Sequence, residues 1–297
     1  MSNTFSDIAK EIMITGAEHK NLSVPQDFLE IAKEVFNVPE KPKGYRIINK
    51  KSNPERAILV TGGLDSTVLY FKLKKQYKNL RAFYIDIGQP YKDKEIKALK
   101  KLKIPFELLK GININQARYW KHIIPARNFY FFCLVAEQIK GGIIYFATTE
   151  GEMPRQGGDK SYYFLEMTNE LFEKLPYPVR IETPLQNETK TDLIKWWQKN
   201  LSLKWLDYTI SCFEVEEGHC GHCQACLRKA LAYINNGLKL KTNVPIRKGC
   251  QVFIEKYKKL MPKELKHRIF NHYSQRRCSQ DLQAIKLLEQ SYGTKIN

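Results

Sequence analysis

The stretch AILVTGGLDST at residues 57–67 places a short apolar run directly before a glycine-rich turn and a helix start. Its four leading apolar residues favour a buried strand. Gly62 and Gly63 let the backbone turn tightly and approach a ligand with no Cβ in the way, and Ser66 and Thr67 are expected to open the following helix. The free N–H groups and positive dipole end of such a helix favour an anion. The stretch therefore predicts a phosphate-binding loop at the end of a strand.

The alternation of strand and helix continues outward from this loop. Further strand patterns lie at 80–87, 105–109, 141–149 and 179–185, and helical patterns lie at 66–77, 92–102, 126–140, 160–174 and 190–200. Such alternation is typical of an α/β fold, a doubly wound parallel sheet with helices on both faces. In this fold class a ligand lies beyond the carboxyl ends of the strands, where the strand order reverses.

This pattern occupies only the middle of the 297 residues, so the chain divides into four predicted parts. A nucleotide-binding domain is predicted at 51–210, with an N-terminal extension at 1–50 packed on it. A small zinc-binding segment is predicted at 211–238, and a basic, mostly helical C-terminal extension at 239–297. A hydrophobic content of 43% is enough for a sizeable core.

Composition narrows the possible locations and partners. No apolar run approaches the length that spans a bilayer, and the first residues lack a secretory signal pattern, so a cytoplasmic protein is expected. The formal net charge is +18, and residues 239–297 hold 14 Lys or Arg against 4 Asp or Glu. That basic segment predicts either a contact with nucleic acid or another anionic partner, or a solvated lysine-rich surface.

The loop lacks the lysine of a Walker A motif and the spacing of the dinucleotide fingerprint. It resembles instead the PP-loop, [ST]-G-G-x-D-S, of ATP pyrophosphatases, which split ATP between the α- and β-phosphates and transfer AMP. Thr61 stands where Ser is usual, and Asp65 is suited to hold Mg²⁺ beside the phosphates. The residues predicted to bind the nucleotide here are Thr61, Gly62, Gly63, Leu64, Asp65, Ser66 and Thr67.

A cysteine cluster near residue 220 predicts a metal site. Cys212, Cys220, Cys223 and Cys226 have the spacing C-x7-C-x2-C-x2-C, and Gly221 frees the backbone between two of them. Four thiolates complete the closed tetrahedral shell of a structural zinc. An iron–sulfur cluster and a redox-active C-x2-C pair remain as weaker alternatives.

Loop and cluster together resemble the 7-cyano-7-deazaguanine synthase family, from about residue 56 to about residue 235. Three further stretches agree with it: IGQ at 87–89, IPARN at 124–128, and TPL at 183–185 followed by Lys190. The resemblance implies an adenine nucleotide alpha hydrolase-like fold. It implies site residues as follows: Asp65, Ser66 and Lys190 catalytic, Gly88 and Gln89 at the nucleotide, Arg127, Asn128 and Asp159 at the substrate.

The family reaction implied for this chain uses ATP, Mg²⁺ and Zn²⁺. ATP adenylates the carboxylate of 7-carboxy-7-deazaguanine, ammonia displaces AMP to give an amide, and a second adenylation leads to the nitrile, 7-cyano-7-deazaguanine (preQ0). The product would feed 7-deazaguanine modification of tRNA or DNA, as in queuosine biosynthesis. Free ammonia is the expected nitrogen donor. A homodimer is an open expectation from the same family.

One stretch departs from the family and keeps two alternatives open. The family has Asp-x-Ser-Gly-Tyr-Pro-Asp-Cys after its fourth core strand, whereas residues 148–167 keep only Asp159, Ser161 and Tyr162 of that pattern. A specialised homologue, from a phage or a defence system, would adenylate the same or another carboxylate and stop at the amide, or conjugate it to a protein or nucleic acid. The other alternative is a nucleic-acid-binding zinc protein with a vestigial nucleotide domain, against which the intact loop and Lys190 argue.

Overall fold

The computed structural model describes residues 54–113, 124, 126–150, 152, 158–267 and 274–290. These residues all belong to one compact unit. The predicted extension at 1–50, Pro125 of the IPARN stretch and most of 151–157 lie outside the described residues, and the four-part division of the chain stays a prediction.

Five parallel strands form the sheet predicted from the alternation. They are β1 (Glu55–Leu59), β2 (Leu80–Asp86), β3 (Glu107–Lys110), β4 (Gly142–Tyr145) and β5 (Val179–Glu182), in the order β3-β2-β1-β4-β5. Ile58 of β1 lies opposite Ala82 of β2 on one side and Tyr145 of β4 on the other. The strand order therefore reverses between β1 and β4, directly beside the glycine-rich turn.

Helices cover both faces of this sheet. They are α1 (Leu64–Gln76), α2 (Lys92–Lys101), α3 (Arg127–Ile139), α4 (Tyr162–Glu173), α5 (Lys190–Asn200), α6 (Leu203–Leu206), α7 (Gln224–Ile234), α8 (Ile246–Gly249), α9 (Gln251–His267) and α10 (Gln275–Gln290). Because side chains alternate along a strand, Ile58 packs into one core with α1, α2 and α5, while Leu59 packs into another with α3 and α4. The doubly wound α/β fold is confirmed.

Element ends differ from the predictions by a few residues, for local reasons. Helix α1 begins at Leu64, not Ser66, because Gly63 already serves as its N-cap in extended conformation. Strand β4 ends at Tyr145, not 149, because its last pairing with β1 is between Tyr145 and Ile58. Strand β5 ends at Glu182, just before Pro184, which has no N–H to donate.

The described part of the C-terminal extension is mostly helical, as predicted, and some of its side chains are buried. Cys278, Ile285 and Leu288 of α10 are buried in the same core as α7 and α9. Among the described residues, none of the helices is long and apolar enough to cross a membrane.

Candidate active site and metal centre

The glycine-rich turn is packed so closely that no side chain fits at Gly62. Its φ is +69°, in the left-handed region. A Cβ at Gly62 would lie 2.8 Å from Cβ of Ala98 in α2 and 3.1 Å from the carbonyl oxygen of Glu95. Helix α2 therefore fixes the path of the loop. Glycine is required here by this packing as well as by the close approach of a ligand.

Hydroxyl groups brace the loop from within. Thr61 N–H donates to Ser66 Oγ at 3.2 Å, and Gly63 N–H donates to Thr61 Oγ1 at 3.4 Å. Thr67 is fully buried, and its Oγ1 has no partner among the described residues. The N-cap of α1 is Gly63, which has no side chain to cap the helix. The first-turn N–H groups of α1 are thus left for an anion.

Asp65 and Lys190 meet across 125 residues of sequence, as an ion pair between Lys190 Nζ and Asp65 Oδ2. Lys190 is the first residue of α5, which a capping box fixes: Thr189 N–H donates to Asp192 Oδ2 at 2.8 Å, and Asp192 N–H donates to Thr189 Oγ1 at 3.3 Å. The other Asp65 oxygen, Oδ1, is buried and has no partner among the described residues. The loop, the acid and the lysine therefore lie together.

Glu152, in the turn after β4, also lies in this charged region. It accepts from Thr149 N–H at 3.1 Å and pairs with Lys160 at 3.5 Å. Burial raises the pKa of Glu152, but the positive charges of Lys160, Lys190 and Arg228 outweigh burial and lower it below the usual range. A carboxylate held ionised by several cations shows that positive side chains gather here, and a polyphosphate needs such side chains.

The turn after β2 uses one predicted nucleotide residue internally. Gly88 is exposed, but Gln89 is buried: its Oε1 accepts from Ile87 N–H at 2.8 Å and its Nε2 donates to Tyr84 Oη at 2.6 Å. Tyr84 in turn donates to Glu95 Oε2 at 2.7 Å. Burial raises the pKa of Glu95 to about 7. The side chain of Gln89 therefore stabilises the turn from the protein interior. Only backbone atoms of this turn are available to a ligand at Gln89.

The three predicted substrate residues lie near the start of α3, the helix that packs on the Leu59 face of the sheet. Asn128 donates from its backbone N to Asp159 Oδ2 at 3.3 Å and from Nδ2 to the Asp159 carbonyl oxygen at 3.1 Å. Arg127 opens α3, with its Cζ 5.8 Å from the ring centroid of Phe131. Its Nε is buried and has no partner among the described residues. Asn128 and Asp159 hold each other, so Arg127 is the group of the three best placed to meet a ligand.

The four cysteines form a cluster that can hold a metal ion. Their Sγ atoms all lie within 4.8 Å of one another, with Cys220 and Cys226 at 3.8 Å and Cys212 and Cys223 at 4.0 Å. A zinc ion with bonds of about 2.3 Å to a regular tetrahedron of sulfurs sets them about 3.8 Å apart. The donor set therefore fits a tetrahedral zinc. Gly221 has φ +84° and packs directly against the backbone of Val244. A Cβ at Gly221 would lie 1.8 Å from the carbonyl oxygen of Val244.

The metal centre is joined to the phosphate loop by the residues just before Cys212. Ile210 N–H donates to the carbonyl oxygen of Gly62 at 3.0 Å, in a short parallel bridge with Gly63. Thr209 accepts two hydrogen bonds from Lys229 Nζ, at 2.5 Å to its carbonyl and 2.8 Å to its hydroxyl. The residues just before the cysteine cluster thus support the phosphate loop directly, and Lys229 holds them from within the zinc-binding segment.

Sequence reasoning missed this connection and the role of Lys229. Lys229 is fully buried, and burial lowers its pKa to about 7. One signal was available: Lys229 lies three residues after Cys226 and four before Tyr233, on the face of α7 that carries buried residues. A lysine on such a face predicts an internal partner.

Comparison with known proteins finds one matching family model and several relatives. The family model described as "Queuosine biosynthesis protein QueC" matches residues 107–237, from β3 to the end of α7. Over this stretch the chain is similar to the 7-cyano-7-deazaguanine synthase family, and the family model covers less than half of the 297 residues. The phosphate loop lies before the stretch that the family model matches, and α9 and α10 lie after it.

Three relatives show how far the likeness extends. The 7-cyano-7-deazaguanine synthase of Saccharolobus solfataricus is 27% identical over 237 residues, covering 68% of this chain and 48% of the relative. Those of Methanocaldococcus jannaschii and Hahella chejuensis are 26% and 25% identical over 62% of this chain, and 96% and 90% of their own length. The chain therefore spans about half of the first relative and nearly all of the other two.

Proposed function

We propose that the chain is an ATP-dependent carbon–nitrogen ligase that converts 7-carboxy-7-deazaguanine and ammonia to 7-cyano-7-deazaguanine. The observation that carries the proposal is the meeting of the PP-loop, Asp65 and Lys190 at the edge where the strand order reverses. The names of the relatives, all 7-cyano-7-deazaguanine synthases, support the substrate class.

ATP would bind with its phosphates over the first turn of α1. The free N–H groups there and the hydroxyl of Thr61, which lies on the exposed side of the loop, are suited to phosphate oxygens. Asp65 would hold Mg²⁺ through Oδ1, the buried oxygen that has no partner among the described residues, and the ion would neutralise phosphate charge. The four cysteines would hold zinc in a structural role, with all positions filled by sulfur.

Each activation forms one bond to phosphorus and breaks one. A carboxylate oxygen attacks the α-phosphorus of ATP, pyrophosphate leaves, and an acyl adenylate forms. Ammonia then adds to the acyl carbon, loses a proton and expels AMP, which leaves the amide. In the second round the amide oxygen takes the AMP group from another ATP, and loss of AMP and the remaining N–H protons gives the nitrile.

The residues of the chain contribute position and charge, with no covalent nucleophile. Lys190 would turn its ammonium group from Asp65 towards the departing pyrophosphate, where a fixed positive charge lowers the barrier. Arg127, with a buried N–H group to offer, would bind the anionic or carbonyl edge of the substrate.

The stretch after β4 leaves the end product open to test. Asp159 is engaged with Asn128, and Ser161 is the N-cap of α4, accepting from Phe164 N–H at 3.1 Å. Asp159 and Ser161, which the chain shares with the family pattern, thus both make hydrogen bonds within the protein. For this reason the proposal extends to a reaction that stops at the amide.

The test is to incubate the protein with ATP, Mg²⁺, ammonium labelled with ¹⁵N and 7-carboxy-7-deazaguanine, and to measure products by mass spectrometry. Nitrile with two AMP per product supports the full reaction, and amide with one AMP supports a single activation. K190A should abolish turnover, whereas K199A removes the same charge from the exposed end of α5 and should not. No product while ATP binds would refute the assigned substrate and turn the search to other carboxylates.

A further inference from the structure

Helix α10 lies beyond the stretch that the family model matches, yet it is built into the catalytic unit. Its apolar side packs against α7 and α9 through Cys278, Ala284, Ile285 and Leu288, all buried. This seat directs the first turn of α10 towards the loops that follow β4 and β5. The basic residues Arg276 and Arg277 at that end therefore have partners within the described part of the chain.

Arg276 joins the loop after β4, the loop after β5 and the first turn of α5. Its Nε donates to Glu150 Oε2 at 2.9 Å, in the loop after β4. Its Nη2 donates to the carbonyl oxygen of Asn187 at 2.5 Å, and lies 2.9 Å from Asp192 Oδ2. The planar fork of arginine suits such a bridge, because several N–H groups point in fixed directions.

Helix α10 contacts Thr189 and Asp192, which are one and two positions from Lys190 in the sequence. Asp192 Oδ2, which forms an ion pair with Arg276, also accepts from Thr189 N–H at 2.8 Å in the capping box that starts α5. A second residue of α10 acts at the same place, since Gln280 Oε1 lies 2.6 Å from Thr189 Oγ1. Lys190 follows Thr189 directly and pairs with Asp65 of the phosphate loop.

We propose that Arg276 is a positioning residue for ATP binding: it ties the loop after β4 to the start of α5 and so holds Lys190 against the phosphate loop. The inference rests on the proposed function only in that the loop binds ATP; it does not depend on the deazaguanine substrate. Arg276 is 46% exposed on its side chain. Exposed ion pairs add little to stability, so its effect should appear in ligand affinity more than in unfolding.

The test measures affinity for Mg²⁺ and an unreactive ATP analogue by titration calorimetry, without any second substrate. R276A should bind the analogue about fivefold to tenfold more weakly, within the range of coupling between contacting residues. K286A removes the same charge from an exposed position on the same helix and should stay within twofold of the unmodified protein. R276K keeps the charge without the fork, and should lose several-fold.

A double-mutant cycle with K190A decides whether Arg276 acts through Lys190. In the K190A background the R276A change should have no further effect on affinity. An equal loss in both backgrounds, full affinity in R276K, or a loss in K286A that matches R276A would each overturn the positioning role. If R276A fails to fold, the R276K and R276K/K190A pair answers the same question. Failure of the unmodified protein to bind the analogue would instead refute the ATP assignment and this inference with it.

Discussion

Replacing Gly62 with alanine should damage the phosphate loop in a way that can be separated into two physical parts. The first is backbone strain, because Gly62 has φ +69°, and a non-glycine residue in the left-handed region costs about 1–2 kcal/mol. The second is overlap, because the new Cβ would lie 2.8 Å from Ala98 Cβ and 3.1 Å from the Glu95 carbonyl oxygen.

The overlap cannot be relieved by a side-chain rotation. Ala98 is buried on α2 and the second contact is backbone, so either the loop or the helix must move. Overpacking of this kind costs about 1–3 kcal/mol. We therefore expect G62A to lower the free energy of unfolding by about 2–5 kcal/mol, the two parts together. Because either movement changes the position of the loop relative to α2, affinity for an ATP analogue should fall as well.

A matched control isolates the strain. Gly237 has φ +68°, and a Cβ there meets nothing within 4 Å. G237A should therefore cost only the strain, about 1–2 kcal/mol, and the loss of unfolded-chain freedom is the same for both variants. A98G removes the nearest overlapping atom, so it should recover part of the G62A loss while destabilising the unmodified protein by about 1 kcal/mol.

The assay is denaturant unfolding of all four variants with analogue titration beside it. The difference between G62A and G237A measures the overlap. A G62A cost no larger than that of G237A would refute the argument that α2 holds the loop. So would a double variant, G62A/A98G, as destabilised as the sum of the two single changes.

Two further predictions concern the surroundings of the loop. Burial raises the pKa of Glu95 from 4.5 to about 7. The contribution of Glu95 to stability is therefore full below pH 4.5, and about 3 kcal/mol of it is lost as the pH rises to about 7. E95Q should flatten the dependence of the unfolding free energy on pH across that window, and an unchanged slope would contradict this. Removing zinc with a strong chelator should weaken ATP-analogue binding as well as lower the melting temperature, because Ile210, two residues before Cys212, bonds to Gly62; binding that survives full metal loss would show that the two are independent.

The helical C-terminal segment shows what composition can and cannot reveal. Its 14 Lys or Arg against 4 Asp or Glu suggested an anionic partner, and that partner remains untested. In the fold, two of these cations have partners within the protein. Arg276 bridges the site loops, and Arg277, 9% exposed, lies 3.5 Å from Asp281 on its own helix. Charge can be counted from sequence, but whether a charge faces inward depends on how the helix is seated.

The sequence by itself determined the parts of this protein that are encoded over a few residues. The strand and helix periodicities, the turn at Gly62 and Gly63, and the cysteine spacing around Gly221 all follow from neighbours within one turn or one strand. For that reason the α/β class, its elements and the metal cluster were predicted before the fold was known.

Only the tertiary structure decided which distant groups meet. Asp65 and Lys190 are 125 residues apart, Ile210 supports Gly62, and Arg276 of a segment beyond the family match reaches Asp192. No local pattern encodes these pairs, because they depend on the order of strands in the sheet and on the packing of helices over its faces. The ends of parallel strands bring such residues to one edge, and packing of the buried helix faces fixes which of them touch.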